Sequence, residues 1–584
     1  MKFLFSYLKK YAWTMAFVIF IKLLGSLGEL VLPYILEYLI DEVAPTKQVS
    51  TAVFWGVVMI VVALLVRFLN VYANRHASQV AQKSTYEMRR DLFWHSVNLS
   101  GSQMDAFGLP SITSRMTSDS YNVQNFTRSM MAMGVRAPIL LLGGIAVTLT
   151  MDAGLAVILC VIAPVVVICV IFISRKGIPM YTKVQQLLDT VVRIMRENIT
   201  GIPVVKALSK EDYESRRFAT ANEALTKGER TAGIVMSMPG PVMTFFLNVG
   251  LTLVVVVGAQ RVNAGVTKPG VILAFLTYFN MILNGAMGLN RIFMMMSKAN
   301  ASANRIAAVI QTADALTPIP EAEAAHTDSG DHIRFEHVSF YYGSTPEDGG
   351  PHMLGDRQMS LEDISFSIPK GGSLGIIGAT GCGKTTIINL LMRFYDATQG
   401  HIFINGKDVR TYDPDTLHRM FGVVFQNDIV FSDTIAENIR FGREVSDEEM
   451  HDAAEDARAA EFIQRYDDGY DHEAAILGAN FSGGQRQRIL ISRALAADPE
   501  ILVLDDASSA LDYKTDAALR KAIREHHSGS TTIIIAQRIS SIMTLDKILM
   551  LQDGRILGIG SHDELMATCP EYREVFDAQM GEGR

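Results

Sequence analysis

Cysteine is scarce in this chain. Its four cysteines, Cys160, Cys169, Cys382 and Cys569, are spread over 584 residues, two of them in one apolar run and one inside a glycine-rich loop. That distribution excludes a disulfide framework and suits a chain whose thiols stay reduced. A cationic surplus is also missing, since 53 lysines and arginines face 61 aspartates and glutamates for a formal net charge of −8. A protein that tracks nucleic-acid backbones needs clustered positive charge, so no bulk nucleic-acid partner is expected. The N-terminal MKFLFSYLKKYAW lacks a short apolar core with a small-residue cleavage site. Lys9 and Lys10 stand directly before a long apolar segment, which is expected to remain as a signal anchor.

What the chain has in excess is apolar residues, 49% of the total and concentrated in the first half. The length exceeds one ordinary domain. A bilayer core of about 30 Å takes roughly 20 residues of helix. Six segments meet that need, near 12–40, 52–73, 133–151, 154–174, 233–259 and 271–296, the third and fourth forming a hairpin through Met151, Asp152 and Ala153. Between the second and third lie Arg75, Lys83, Arg89, Arg90, Arg115 and Arg128, and between the fourth and fifth lie eleven further cations. By the positive-inside rule both long loops are cytoplasmic, which leaves the turns near 41–50, 151 and 261–270 outside and both chain ends in the cytosol. These loops are polar and periodic, as helices that run on past the membrane and return would be.

Residues 312–331 lose apolar periodicity and gain proline, alanine and acidic residues, the composition of a domain boundary. After it, HIRFEHVSFYY and LEDISFSI alternate as strands, separated by a surface insertion at 343–360. SLGIIGATGCGKTTIINLL then reads as an apolar strand, a glycine-rich turn and a helix start. In that arrangement backbone N–H groups and the positive end of the helix dipole converge on a polyphosphate. Gly378, Gly381 and Gly383 let the backbone curl, Lys384 would reach the β- and γ-phosphates, and Thr385 would offer its hydroxyl to Mg²⁺.

Two further strings follow, FSGGQRQR at 481–488 and ILVLDDASSALD at 501–512. With GATGCGKTT at 378–386, in that order and separation, they resemble the nucleotide-binding domain of an ATP-binding-cassette (ABC) transporter. The resemblance implies an all-α six-helix membrane domain of type I/IV exporter fold at 1–311, a linker at 312–331 and an α/β P-loop ATPase domain at 332–584. It implies ATP and Mg²⁺ as cofactors. The phosphate loop would be Gly378, Ala379, Thr380, Gly381, Cys382, Gly383, Lys384, Thr385 and Thr386, with Thr385, Gln426 and Asp505 on the metal. Tyr342 would stack on adenine, exchanging roles with Tyr341 if the strand register slips by one. Ser482, Gly483, Gly484 and Gln485 would be the signature that grips the γ-phosphate bound to the opposite subunit. Short coupling helices would close the cytoplasmic loops near 111–124 and 201–209, the alternative being a plain solvated hairpin.

Two positions depart from the family pattern. Asp506 stands where a catalytic glutamate is expected and Gln537 where the switch loop carries a histidine. Both changes fall in the half-site that this chain's Walker motifs build, while its signature is intact. The resemblance therefore implies the degenerate half of a heterodimeric exporter, with a second half-transporter chain supplying the complementary pattern. A third departure is Ile476 and Leu477, where relatives often carry an acidic and basic pair. The expected activity is ATP-driven export of amphiphilic small molecules, multidrug type, in the plasma (inner) membrane. A lipid or peptide exporter, and an ATP-gated channel or regulator, are the alternatives.

Lys22 and Glu29 lie seven apart on one face of the first apolar helix. Buried charge in a bilayer is costly, so a cavity, a partner helix or the interface is expected to receive them, with snorkelling of Lys22 as the other reading. Arg67, Arg136 and Arg291 pose the same choice. Met281, Met287 and Met294, Met295 and Met296 read either as an adaptable substrate lining or as ordinary helix packing.

Overall fold

The computed structural model describes residues 1–313, 316–325, 327, 330–343 and 360–581. Nearly all of the insertion expected at 343–360 lies outside the described residues. The chain divides into two compact units, one formed by Met1–Val97 and Pro110–Thr312, the other by Asn98–Leu109 and Ala313–Arg584.

The first unit is helical. A short helix α1 (Lys2–Lys9) precedes six stretches long and apolar enough to cross a membrane: Ala12–Thr46, Val49–Val97, Leu109–Met151, Ala153–Thr200, Glu211–Asn263 and Pro269–Ile310. The main helices are α2 (Ala12–Tyr38), α3 (Val49–Val97), then, beyond the short α4 (Gly101–Phe107) and α5 (Leu109–Ser114), α6 (Ser120–Pro138) and α7 (Gly144–Met151). They continue as α8 (Ala153–Thr200), the short α9 (Ile202–Ala207), α10 (Glu211–Ser237), α11 (Pro239–Asn263) and α12 (Pro269–Ile310). At about 1.5 Å per residue, α3 is roughly 70 Å long, more than twice the hydrocarbon thickness of about 30 Å. The surplus length is the polar part that the cation-rich loops announce. Between α6 and α7 the backbone widens into a π turn at Ile139–Gly143 directly after Pro138, whose missing N–H breaks the regular ladder there. Asp152 caps α8 by accepting from the N–H groups of Gly154 and Leu155, and pairs with Arg261 at 3.0 Å.

Close approach of α2 and α3 depends on small residues. A Cβ at Gly25 would meet the Asn70 amide at 3.2 Å. Lys22 sits in the same contact, 3% exposed, with Nζ donating to Asn70 Oδ1 at 2.7 Å and Asn74 Oδ1 at 3.1 Å. Of the readings open for Lys22, the partner helix is the one observed, and snorkelling to a membrane surface is not. Glu29 accepts from Asn70 and from Arg136, while Arg67 and Arg291 are exposed. Met281 and Met287 are half-buried, and Met294 and Met296 are exposed.

The segment expected to be the first coupling helix is corrected by the structure. Residues 111–124 stay in the first unit, and the stretch that joins the second unit is Asn98–Leu109. Ser100 opens α4 with a capping box, its hydroxyl accepting from Gln103 N and its own N–H donating to Gln103 Oε1. Gly101 N donates to Phe394 O at 3.1 Å, and the Tyr395 hydroxyl donates to Asp105 at 2.7 Å. A side chain at Gly101 would collide with the Tyr395 ring. The tip of the other long loop forms α9, in the range expected, and no residue of it is buried.

The second unit holds two sheets. One is antiparallel and built from β1 (Ile333–Phe340), β2 (Leu361–Ile368), β4 (Gln399–Ile404) and β5 (Lys407–Asp408) in the order β2-β1-β4-β5. The other runs β10-β9-β3-β8-β7-β6, with β3 (Ser373–Ile377), β6 (Phe421–Val424), β7 (Ile501–Asp505), β8 (Thr531–Ile535) and β9 (Lys547–Gln552) parallel, and β10 (Arg555–Gly560) as an antiparallel edge. Strands β7 and β8 are buried throughout, as parallel strands covered on both faces must be. In such sheets ligands gather at the carboxyl ends of the strands. Here that edge carries the glycine-rich turn after β3, Asp505 at the end of β7, and Gln537 just beyond β8.

Candidate functional site

The turn after β3 leads into α13 (Lys384–Leu391), and Gly383 is its N-cap with φ 106°. A Cβ there would also press on the carbonyl of Ser360 at 2.7 Å, so glycine is required twice over. Lys384 Nζ donates to the carbonyls of Gly378 and Ala379 at 2.9 and 2.8 Å, folding the lysine back across its own loop. Cys382 is buried, and burial pushes its thiol pKa up, which marks it as a packing residue of the loop.

Around this loop lies a cavity of about 280 Å³ lined by Tyr342, Thr380, Gly381, Gly383, Lys384, Thr385, Thr386, Gln426, Asp505, Asp506 and Gln537, all singled out in the sequence, and by Ser360 and Ile535, which were not. Gly378, Ala379 and Cys382 support the loop without lining the cavity. Ser360 is brought in by its bond to β1, its N–H donating to Phe340 O; no local sequence pattern marks it. Tyr342 is half-buried, with its hydroxyl 3.1 Å from Thr386 Oγ1 and its ring edge-on to Phe340 and Tyr395, whereas Tyr341 is exposed and does not line the cavity.

Thr385 Oγ1 donates to Asp505 Oδ2 at 2.8 Å. Asp505 is 2% exposed, and burial, reinforced by the neighbouring Asp506 charge, raises its pKa against the opposing pull of Thr385 and Lys384. Thr385, Gln426 and Asp505 together offer a hydroxyl, an amide oxygen and a carboxylate. That all-oxygen donor set fits a hard divalent cation such as Mg²⁺.

Asp506 and Gln537, the two positions that depart from the family pattern, touch each other: Gln537 Nε2 donates to Asp506 Oδ2 at 3.0 Å. Asp506 has φ 52°, the left-handed region that aspartate tolerates better than most residues. Burial raises its pKa, while Lys384 and the Gln537 hydrogen bond lower it. A proton acceptor at this place is therefore already engaged by an amide donor that cannot itself become charged.

The signature residues are not part of this cavity. Ser482 caps α14 (Gly483–Leu495) in a second capping box, accepting from Gln485 N and donating its N–H to Gln485 Oε1 at 2.8 Å. Gln485 thus holds the cap, while Ser482 and Gly483 face solvent. Gln487, which sequence reasoning passed over, ties this helix to the loop after β7: it donates to Asp506 O at 3.2 Å and accepts from Ala510 N at 3.2 Å. One chain therefore builds a phosphate-loop half-site and, separately, an exposed helix N-terminus suited to an anion.

Comparisons with known proteins agree with this geometry. The family described as ABC transporter transmembrane region matches residues 15–287, and the family described as ABC transporter matches residues 361–509. The uncharacterized ABC transporter ATP-binding protein YfiB of Bacillus subtilis is 34% identical over 99% of this chain and 98% of its own length. The uncharacterized ABC transporter ATP-binding protein Rv1273c of Mycobacterium tuberculosis is 32% identical over 98% of this chain and 97% of its own. A solved bacterial Atm1-family ABC exporter with ATP bound superposes with a TM-score of 0.80 at 24% identity, covering 99% of both chains. This chain belongs to the ABC transporter family: it is a half-transporter in which an all-helical membrane domain of exporter fold precedes an ATP-binding domain, and it couples ATP to transport.

Proposed function

We propose that this half-transporter exports amphiphilic small molecules across the plasma membrane as one half of a heterodimer, with both chain ends cytoplasmic and its own Walker motifs forming the slow nucleotide site. The observation that carries the reading is the Asp506–Gln537 hydrogen bond at 3.0 Å beside an intact, exposed signature at Ser482 and Gly483. Asp506 is one methylene shorter than glutamate, and a misplacement of about 1 Å costs on the order of a hundredfold in rate. Gln537 lacks the charge an imidazolium would bring to the γ-phosphate. Lys384 and the loop N–H groups still bind phosphate, so this site holds ATP and keeps the dimer closed while turning over slowly. Bound Mg²⁺ would offset phosphate charge, held by Thr385, Gln426 and Asp505. Tyr342 contributes the aromatic face for adenine, reached by a rotation away from Thr386.

Ser482, Gly483 and Gly484 complete the partner's faster site, with Gln485 fixing their geometry. The partner is needed for coupling as well: α9 and the Leu208 that caps it leave Ile202, Val204 and Leu208 more than half exposed, an apolar tip suited to resting on the ATP-binding domain of another chain. The test is the ATPase rate of the purified chain alone against the chain co-expressed with its partner. A many-fold rise on pairing is expected, and brisk turnover by the chain alone overturns the asymmetric dimer.

A further inference from the structure

Three helices of the membrane unit share one chain of polar side chains, which spans about 10 Å along α2 from Lys22 to Glu29. Lys22 on α2 donates to Asn70 on α3, Asn70 Nδ2 donates to Glu29 Oε1 at 3.1 Å, and Arg136 on α6 donates to Glu29 through Nε and Nη2, both at 2.9 Å from Oε2. The Asn70 amide is oriented from both sides, so the chain of bonds has one direction. Lys22 and Glu29 are largely covered, whereas the Arg136 side chain is 46% exposed, and its Nη1 has no partner among the described residues.

Helix α12 adds to this band. Ala137 approaches Gly288 so closely that a Cβ on the glycine would lie 3.0 Å from that of Ala137, which sets Arg136 level with the middle of α12. There Asn280, Asn284 and Arg291 are exposed at spacings of four and seven, one face of the helix. Arg291 has no carboxylate within ion-pair distance among the described residues. The ionisable groups of this stretch are Lys22, Arg67, which follows the Val66 packed on Gly28, Arg136 and Arg291 against Glu29 alone, a cationic excess that hydrocarbon does not tolerate and an aqueous or ligand-bearing surface does. On the same stretch of α12 opens an apolar cavity of about 180 Å³ lined by Leu141, Val166, Ile171, Leu283, Met287 and Phe293.

We propose that Arg136 and Arg291 select substrates bearing an anionic group, a carboxylate, phosphate or sulfonate, whose apolar portion enters the Met287 cavity. The inference rests on the export reading and narrows its amphiphile to an acidic one. Glu29 competes with the ligand for Arg136 and keeps that guanidinium aligned when no ligand is bound.

One fluorophore in three charge states tests it: dansylglycine (anionic), dansylglycinamide (neutral) and dansylcadaverine (cationic), titrated by fluorescence into the full-length transporter in lipid nanodiscs. Dansylglycine is expected to bind tightest. Arg136→Gln and Arg291→Gln should each weaken it about tenfold and leave the neutral probe unchanged, the size expected for losing one charged hydrogen-bond partner. Arg136→Lys should retain most of the preference. Glu29→Gln should tighten dansylglycine, an effect that a merely structural ion pair does not produce. Equal affinity for the three probes, or a uniform loss of all three in Arg136→Gln, overturns the proposal. Uptake of the same probes into proteoliposomes is read separately: selective binding without ATP-driven uptake leaves the anion site standing and removes the export reading.

Discussion

At Ser482 the chain presents a helix N-terminus whose cap is complete, with two reciprocal hydrogen bonds and two exposed residues aimed outward. At Asp506 it presents a short carboxylate in a left-handed backbone conformation, held by the amide of Gln537. Both belong to the same ATP-binding unit and are joined through Gln487, so local instability does not explain why one departs from the family pattern and the other does not. In a homodimer every site would contain both. The contrast makes sense if the two are used in different sites, and each prediction below probes that separation.

The largest effect is expected from the signature. Gly483→Asp puts a negative charge at the helix N-terminus where phosphate should sit, and should lower heterodimer ATPase by about a hundredfold or more, measured by phosphate release. Next comes a gain. Asp506→Glu with Gln537→His should raise the ATPase of the chain expressed alone by about tenfold or more, because the longer carboxylate recovers reach and the imidazole replaces an amide. No gain would mean that these residues do not set the rate. Lys384→Ala should cost less than Gly483→Asp and more than Asp506→Ala, weakening ATP retention, read by equilibrium binding of a fluorescent ATP analogue, and lowering turnover about tenfold through the shared dimer.

Asp505→Asn separates stability from function. Burial raises the Asp505 pKa, so the folded chain holds that proton more tightly than the unfolded chain does, and ionisation above the ordinary carboxylate range, about 3.9, costs stability. Without nucleotide the variant should melt a few degrees higher than the parent at pH 8, and the difference should shrink toward pH 4. The stabilisation conferred by Mg²⁺ and ATP should disappear in the variant, by differential scanning fluorimetry. The smallest effect is expected for Asp506→Ala, about twofold or less in heterodimer ATPase, because the proposed asymmetry assigns it to the slow site. Loss as severe as that of Gly483→Asp would erase the contrast between the two half-sites.

The phosphate loop was legible because its requirements are local: a strand, a curl that needs glycine at 383, and a helix start within a dozen residues. The Asp506–Gln537 contact was not, because the two are 31 residues apart and meet only when β7 and β8 pair. Lys22 shows the same limit in the membrane unit. Its spacing from Glu29 gave the face, but its acceptor, Asn70, lies 48 residues away on α3, and an asparagine in an apolar run carries no local signal of its partner. The stretch that joins the ATP-binding unit is Asn98–Leu109, outside the range the sequence suggests, although its capping signature, Ser100 with Gln103, stands in the sequence. The polar stretch at 111–124 is longer and carries the stronger local signal, whereas the need of Phe394 and Tyr395 for a glycine opposite them is invisible from one dimension.

The placement of Asn98–Leu109 has a practical meaning for anyone who would cut this protein into parts. The ATP-binding unit is discontinuous in sequence, and a soluble fragment that starts at residue 313 omits the strip that bonds Phe394 O and the Tyr395 hydroxyl. Such a fragment would uncover an aromatic surface at a spot normally clad by its own chain, and self-association measured on it would report the missing strip and say nothing of how two nucleotide sites come together.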